Sequence, residues 1–180
     1  MVRHAILAEG ATLGERLLVH FDGLCEPRNP GGWSCYGWTV KDLELLTMGG
    51  HYQGLAHGWG VAAPAGAARS TNNFAEYCAL GFALSFLAEQ GWRGELLIRG
   101  DSQLVIFQLT DRWRCLNGRL LALRHRCRTL LNDVAHDNWH AEWVAREENT
   151  ACDELSRRAY TEATGQPVPE RRFYRRRRWK

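Results

Sequence analysis

The 180-residue chain lacks any apolar run long enough to cross a bilayer, and residues 1–10 contain no apolar stretch of signal-peptide length. A membrane span needs roughly 18 consecutive apolar residues, and a secretory signal needs an apolar segment of about 7–15 residues. We therefore expect a cytoplasmic protein with no membrane partner. The length allows one well-packed domain, which we expect to be a monomer.

The six cysteines include no Cys-x-x-Cys pair. Zinc ribbons and dithiol redox sites both depend on such pairs, so the spacing favours neither. Reduced, partly buried thiols are expected instead.

Acidic residues are missing from the last ten positions, RRFYRRRRWK, which hold seven of the 23 basic residues. Residues 1–170 keep 16 basic against 20 acidic residues, so a tail of about +7 follows a body of about −4. Such an arm favours a polyanionic partner, because basic side chains near phosphates release condensed counterions. A solvated tail without a partner is the alternative interpretation.

What the chain does contain is an alternation of strand and helix patterns. Apolar and β-branched runs predict strands at 16–23, 32–40, 94–101 and 140–146. Helical spacing and caps predict helices at 70–91, 102–110, 118–134 and 148–163. Glycines interrupt residues 41–70, where LELLTM and GWGVAA predict one or two edge strands.

This order predicts an α/β fold with a mixed sheet. The first two strands form an antiparallel hairpin, whereas strands joined through helices pair in parallel. The patterns divide the chain into an N-terminal extension at 1–15, one domain at 16–165 and a basic tail at 166–180.

Two aspartates come at the ends of apolar strand patterns, Asp22 in FDG and Asp101 in RGD. A buried carboxylate is costly unless it is compensated, so two such acids on neighbouring strands would require a cation between them. Glu76 and Asp153 fall near the starts of two helices, where stabilisation by the helix dipole is the simpler explanation for either acid alone. Together the four carboxylates suit Mg²⁺ or Mn²⁺, and two such ions roughly 4 Å apart commonly catalyse phosphodiester displacement.

Four segments of the sequence, in a fixed order, carry a resemblance to a known family. They are FDGLCEPRNPGGW at 21–33, STNNFAEYCAL at 70–80, RGDSQLVIFQL at 99–109 and WVAREENTACDELSRRA at 143–159. In these blocks the sequence resembles the type 1 ribonucleases H. The combination of TNN followed by Glu, then GDSQ, then Asn-x-x-x-Asp is specific.

The resemblance implies a ribonuclease H-like five-stranded mixed sheet with helices on both faces. It also implies hydrolysis of the RNA strand of RNA/DNA hybrids by two Mg²⁺ ions, with Mn²⁺ as a possible substitute, giving 5′-phosphate and 3′-hydroxyl ends. In that picture Asp22 bridges the two ions and Asp153 helps to hold the ion that activates water. Glu76 and Asp101 hold the other ion.

The resemblance further implies that Asn72, Asn73 and Gln103 contact the minor groove of the hybrid. Amides offer both donors and acceptors to 2′-hydroxyls and base edges. Helix capping by the asparagines and a solvated position for Gln103 are the alternatives. The predicted substrate-binding set is completed by Gly23, Arg175 and Arg176.

The sequence departs from well-known family members at a catalytic histidine, because Trp143 and Val144 occupy the corresponding stretch. The nearby His136 and His140 are interpreted as structural. Arg146, seven residues before Asp153, resembles the histidine-lacking branch of the family. We expect it to neutralise charge at the active site, with a surface ion pair to Glu147 or Glu148 as the alternative.

A second departure is the missing basic handle, since only TDRWRCLNG joins the two central helices. We expect the arginine tail, with its interleaved aromatic residues, to supply hybrid affinity instead. Two other functions stay open at this point. One is a catalytically silent module that binds hybrids or double-stranded RNA, and the other is a different metal-dependent nuclease of the same fold.

Overall fold

The computed structural model describes residues 3–47 and 54–169, which form a mixed sheet covered by helices. The strands are β1 (Arg3–Leu7), β2 (Arg16–Glu26), β3 (Trp33–Asp42), β4 (Ala56–Ala63), β5 (Glu95–Gly100) and β6 (Trp139–Trp143). The α-helices are α1 (Leu43–Thr47), α2 (Asn72–Glu89), α3 (Gln103–Leu109), α4 (Gly118–Ala135) and α5 (Thr150–Thr164). A single 3₁₀ turn, Arg146–Glu148, precedes α5 in the described part of the chain.

The strand order is β1-β4-β3-β2-β5-β6. β1, β4, β3 and β2 pair antiparallel, whereas β5 pairs in parallel with both β2 and β6. The predicted α/β fold with a mixed sheet is therefore confirmed. The sheet has six strands and not five, because the segment set apart as an N-terminal extension contributes β1.

β1 also changes the place of β4 in the sheet. GWGVAA does form a strand, but β1 pairs along its outer side, from Arg3 opposite Gly60 to Leu7 opposite Ala56. β4 is consequently an interior strand, and the expectation of an edge strand there was wrong. The five-residue β1 is too short for its period to be distinguished in the sequence.

The other expected strand in this region, LELLTM, is also wrong, since residues 43–47 form the short helix α1. The Asp42 carboxylate accepts the backbone N–H groups of Glu44 at 2.8 Å and Leu45 at 3.2 Å. This N-cap satisfies donors that the first turn leaves without partners, and so favours a helix directly after β3.

Helices lie on both faces of the sheet, as two glycines on β2 and β3 make clear. A Cβ at Gly23 would meet Ala75 of α2, whereas a Cβ at Gly37 would meet Leu155 of α5. Asp22 pairs with Gly37 across the two strands, and successive residues of a strand point to opposite faces. Asp22 therefore shares the α5 face of the sheet, and Gly23 faces α2.

The larger hydrophobic core lies between the sheet and helices α2, α3 and α4, and a smaller cluster lies beneath α5. Thr71 caps α2 by accepting the N–H of Phe74 at 3.1 Å, and Gly165 ends α5 in a left-handed conformation. All six cysteines are free. Within residues 3–47 and 54–169, no helix is long and apolar enough to cross a membrane.

Candidate active site

Two of the predicted site residues meet where β2 and β5 stop running side by side. The parallel register ends with Phe21 opposite Gly100, so Asp22 and Asp101 are the next residues on each strand. The apolar patterns correctly predicted neighbouring strands. Asp22 does not end its strand, however, because β2 continues to Glu26 along β3.

Glu76 completes a cluster of three carboxylates. One carboxylate oxygen from each of Asp22, Glu76 and Asp101 lies within 4.8 Å of the other two. Helix α2 brings Glu76 to this point because its first turn packs directly against Gly23, whose backbone N–H donates to the Glu76 carboxylate.

Two of the three carboxylates are buried and Asp101 is half-buried, and the charge of the cluster is only partly compensated. Asp22 and Glu76 are each 4% exposed. Burial raises the pKa of Asp22 to about 7, against the hydrogen bond from Ser156, and the charges of Asp101 and Asp153 raise it further. Burial, followed by the charges of Asp22 and Asp101, holds the pKa of Glu76 well above its usual range.

The donor set suits a divalent cation. Glu76 Oε1 accepts a bond from the Asn72 amide at 3.3 Å, but Glu76 Oε2 is buried without a hydrogen-bond partner. A buried carboxylate oxygen without a donor is costly, and hard oxygen ligands are those that Mg²⁺ and Mn²⁺ prefer. A cation among the three carboxylates would remove both this cost and their mutual repulsion.

Two residues without a predicted role hold the cluster in place. The Asn149 amide donates to the Phe21 carbonyl at 2.8 Å and to Asp101 Oδ1 at 2.9 Å, and the residue is 2% exposed. Ser156 donates to Asp22 Oδ2 at 2.6 Å. Asn149 was visible in the sequence only as the first residue of Asn-x-x-x-Asp, and Ser156 carried no signal.

Comparisons with known proteins identify the family of the chain. The family model described as "Reverse transcriptase-like" matches residues 55–159, more than half of the chain. The protein "Ribonuclease HI" from Halobacterium salinarum is 35% identical over 152 residues, which cover 83% of this chain and 67% of that protein. The chain belongs to the type 1 ribonuclease H family.

Solved structures of ribonucleases H share the fold. The crystal structure of RNase H1 from Halobacterium salinarum is 33% identical, with a TM-score of 0.67 over 82% of this chain and 98% of that one. LC11-RNase H1, isolated from compost and solved in complex with an RNA/DNA hybrid, is 23% identical, with a TM-score of 0.69 over 82% and 98% of the two chains. At that identity the second likeness concerns the fold alone.

Asp153, the fourth predicted ligand of this ribonuclease H, lies beside the cluster but not within it. Arg146 donates to Asp153 Oδ1, and Arg157 donates to Oδ2 at 2.7 Å. The two guanidinium groups overcome partial burial and lower the pKa of Asp153. Arg146 thus pairs with a predicted metal ligand and not with Glu147 or Glu148.

The predicted substrate contacts occupy different surroundings. Asn72 and Asn73 are half-buried at the start of α2, where Thr71 is the capping residue, so neither asparagine caps the helix. Asn73 lines a cavity of about 250 Å³, and Gln103 is exposed at the start of α3. Gly23 is buried against α2.

The remaining predictions concern the tail and the two histidines. Arg175 and Arg176 lie outside the described residues. His136 and His140 lie near the acids Asp137 and Glu142, at 3.3 and 3.8 Å, on the surface.

Proposed function

We propose that this ribonuclease H hydrolyses the RNA strand of RNA/DNA hybrids with two Mg²⁺ ions, leaving 5′-phosphate and 3′-hydroxyl ends. The observation that carries the proposal is the cluster of Asp22, Glu76 and Asp101, in which a buried Glu76 oxygen has no hydrogen-bond partner. The hybrid bound by LC11-RNase H1, which has the same fold, supports the choice of substrate.

Different residues of the chain would bind the metal ions and position the ligands. Asp22, Glu76, Asp101 and Asp153 would hold the metal ions, with Mn²⁺ as a possible substitute for Mg²⁺. Bound ions supply the positive charge that offsets the scissile phosphate and the activation of water as a nucleophile. Asn149 keeps the Asp101 carboxylate turned toward the cluster through its 2.9 Å hydrogen bond.

Recognition of the hybrid is assigned to the start of α2, the start of α3 and the tail. Asn72, Asn73 and Gln103 offer amide groups suited to 2′-hydroxyls and base edges of a shallow minor groove. Arg175 and Arg176 would contact phosphates. They would thereby replace the basic handle, which is missing from the short connection between α3 and α4, residues 110–117.

The test uses end-labelled RNA/DNA hybrid, double-stranded DNA, double-stranded RNA and single strands, each with Mg²⁺, Mn²⁺ or EDTA. We expect cleavage of the RNA strand of the hybrid alone, abolished by EDTA and by Asp101→Asn. Hybrid or RNA duplex binding without cleavage in either metal would instead identify a silent binding module. Cleavage of double-stranded DNA would identify a different nuclease of this fold.

Arg146→Ala is expected to reduce hydrolysis at saturating metal by roughly tenfold to a hundredfold, because a guanidinium near the phosphate offsets developing negative charge. Arg157→Ala is the matched control, since Arg157 pairs with the other oxygen of the same carboxylate. Single-turnover rates compare the two variants. Equal losses would show that Arg146 acts only through Asp153.

Deletion of residues 171–180 removes seven basic residues. We expect weaker hybrid binding and a flatter dependence of log Kd on log salt, because fewer counterions are released. The position of the cut and the end groups should not change. Fluorescence anisotropy at several salt concentrations measures the effect, and an unaltered slope would refute a role for the tail in binding.

A further inference from the structure

Ser156 of α5 donates a hydrogen bond to one carboxylate of the cluster. It is fully buried, and its hydroxyl lies 2.6 Å from Asp22 Oδ2. The two residues are 134 positions apart in the chain. Among the described residues, no other side chain donates a hydrogen bond to the Asp22 carboxylate.

The hydroxyl has a second acceptor within reach, the Asp153 carbonyl at 2.9 Å. Serine and threonine in helices often bond to a carbonyl of the preceding turn. Thr161 and Thr164 do so on the same helix, at 3.1 and 2.8 Å to the carbonyls four residues earlier. The Ser156 hydroxyl has one proton, so one acceptor must dominate.

The distances favour the carboxylate. Hydrogen bonds from a hydroxyl to an ionised oxygen are short, about 2.5–2.7 Å, and roughly twice as strong as neutral ones. The 2.6 Å contact to Asp22 fits this range, whereas the 2.9 Å contact to the Asp153 carbonyl does not. Ser156 is fully buried, so its hydroxyl is not exposed to bulk water.

We infer that Ser156 is a positioning residue for the metal site: its hydroxyl fixes Asp22 Oδ2 on the α5 side and leaves the other carboxylate oxygen to face Glu76 and Asp101. The contact also fixes the relative position of two proposed ligands. Asp153 lies three residues before Ser156, so the hydrogen bond ties the turn that carries Asp153 to β2. This inference rests on the proposed metal binding by Asp22.

The experiment measures Mn²⁺ binding by calorimetry in the absence of nucleic acid, using the full-length protein. Ser156→Ala removes the hydroxyl and fits the space that serine occupies. We expect its Mn²⁺ dissociation constant to rise about 10–100-fold, the effect that residues supporting metal ligands typically have. Hybrid binding in EDTA should stay unchanged, because the fold and the binding surface remain.

Thr161→Ala is the matched control, since it removes a hydroxyl from an exposed position of the same helix. It should leave Mn²⁺ binding unchanged. In the hydrolysis assay, Ser156→Ala should shift the metal dependence to higher Mn²⁺ concentration, with the rate largely restored at saturation. If the Ser156 hydroxyl served only packing, its removal would weaken hybrid binding in EDTA as well as metal binding.

The outcomes separate this inference from the proposed function. If the unaltered protein binds no Mn²⁺, the proposed metal mechanism fails. If it binds Mn²⁺ and Ser156→Ala binds equally well, the positioning role of Ser156 is wrong while the metal mechanism stands. Loss of hybrid binding in EDTA by Ser156→Ala also overturns the positioning role.

Discussion

Asp22→Asn should lower the rate of RNA hydrolysis roughly a thousandfold and yet make the metal-free protein more stable. We proposed that the Asp22 carboxylate is shared by two metal ions, and its loss would then remove charge stabilisation of the transition state worth several kcal/mol. The amide is neutral, so it also removes a buried charge from beside Glu76 and Asp101. The amide oxygen can still accept the Ser156 hydrogen bond.

The gain in stability should depend on pH. Burial raises the pKa of Asp22 in the folded protein to about 7, whereas an unfolded aspartate titrates near 3.9. A pKa that is higher in the folded protein contributes stability at pH values below the pKa of the unfolded state. This stability is lost as the pH rises through the pKa of the folded state. The free energy of unfolding of the variant should therefore equal that of the original protein near pH 4. Above pH 7 it should be higher by as much as about 4 kcal/mol.

Thermal unfolding in EDTA between pH 4 and pH 9 measures this difference. A gain of about 4 kcal/mol corresponds to roughly 8–16 °C in Tm for a domain of this size. Glu148→Gln is the control, because it neutralises an acid at an exposed position and should change Tm little. A variant that loses both activity and stability would show that Asp22 supports the fold and not a cation site.

The sequence was most informative where one residue pattern determines one local structure. The apolar runs around Asp22 and Asp101 predicted neighbouring strands, and strand neighbours bring their following residues together. The length of β2 was underestimated because its continuation to Glu26 depends on pairing with β3, which a single segment does not reveal. α1 was missed because a capping aspartate outweighs the apolar run that follows it.

The supporting hydrogen bonds could not be predicted for a different reason. Asn149 reaches Phe21 across 128 positions and Ser156 reaches Asp22 across 134, so neither contact leaves a local pattern. The Arg146–Asp153 pair spans seven residues and depends on the 3₁₀ turn that precedes α5. Such contacts are set by packing of α5 on the sheet.

Gly23→Ala should disrupt both the fold and the metal site. A Cβ at Gly23 would lie 2.6 Å from the Ala75 carbonyl carbon and 2.8 Å from the Ala75 Cβ, and closer still to the Glu76 nitrogen. Most of these atoms are helix backbone, so no side-chain rotation relieves the clash and α2 must move away from β2. Overpacking of this kind costs about 1–3 kcal/mol.

The same displacement should weaken metal binding, because Glu76 moves with α2 and its bond from the Gly23 N–H is strained. Gly81→Ala provides the matched control on the same helix. A Cβ at Gly81 would meet only the Cys127 sulfur at 3.7 Å, an ordinary contact, and alanine is favoured over glycine in a helix interior by about 1 kcal/mol. Denaturant unfolding should therefore show that Gly23→Ala lowers the free energy of unfolding and that Gly81→Ala raises it. Mn²⁺ calorimetry should show a lower metal affinity for Gly23→Ala alone. If Gly23→Ala proved as stable as the original protein, α2 would not pack against β2 as closely as the carboxylate cluster requires.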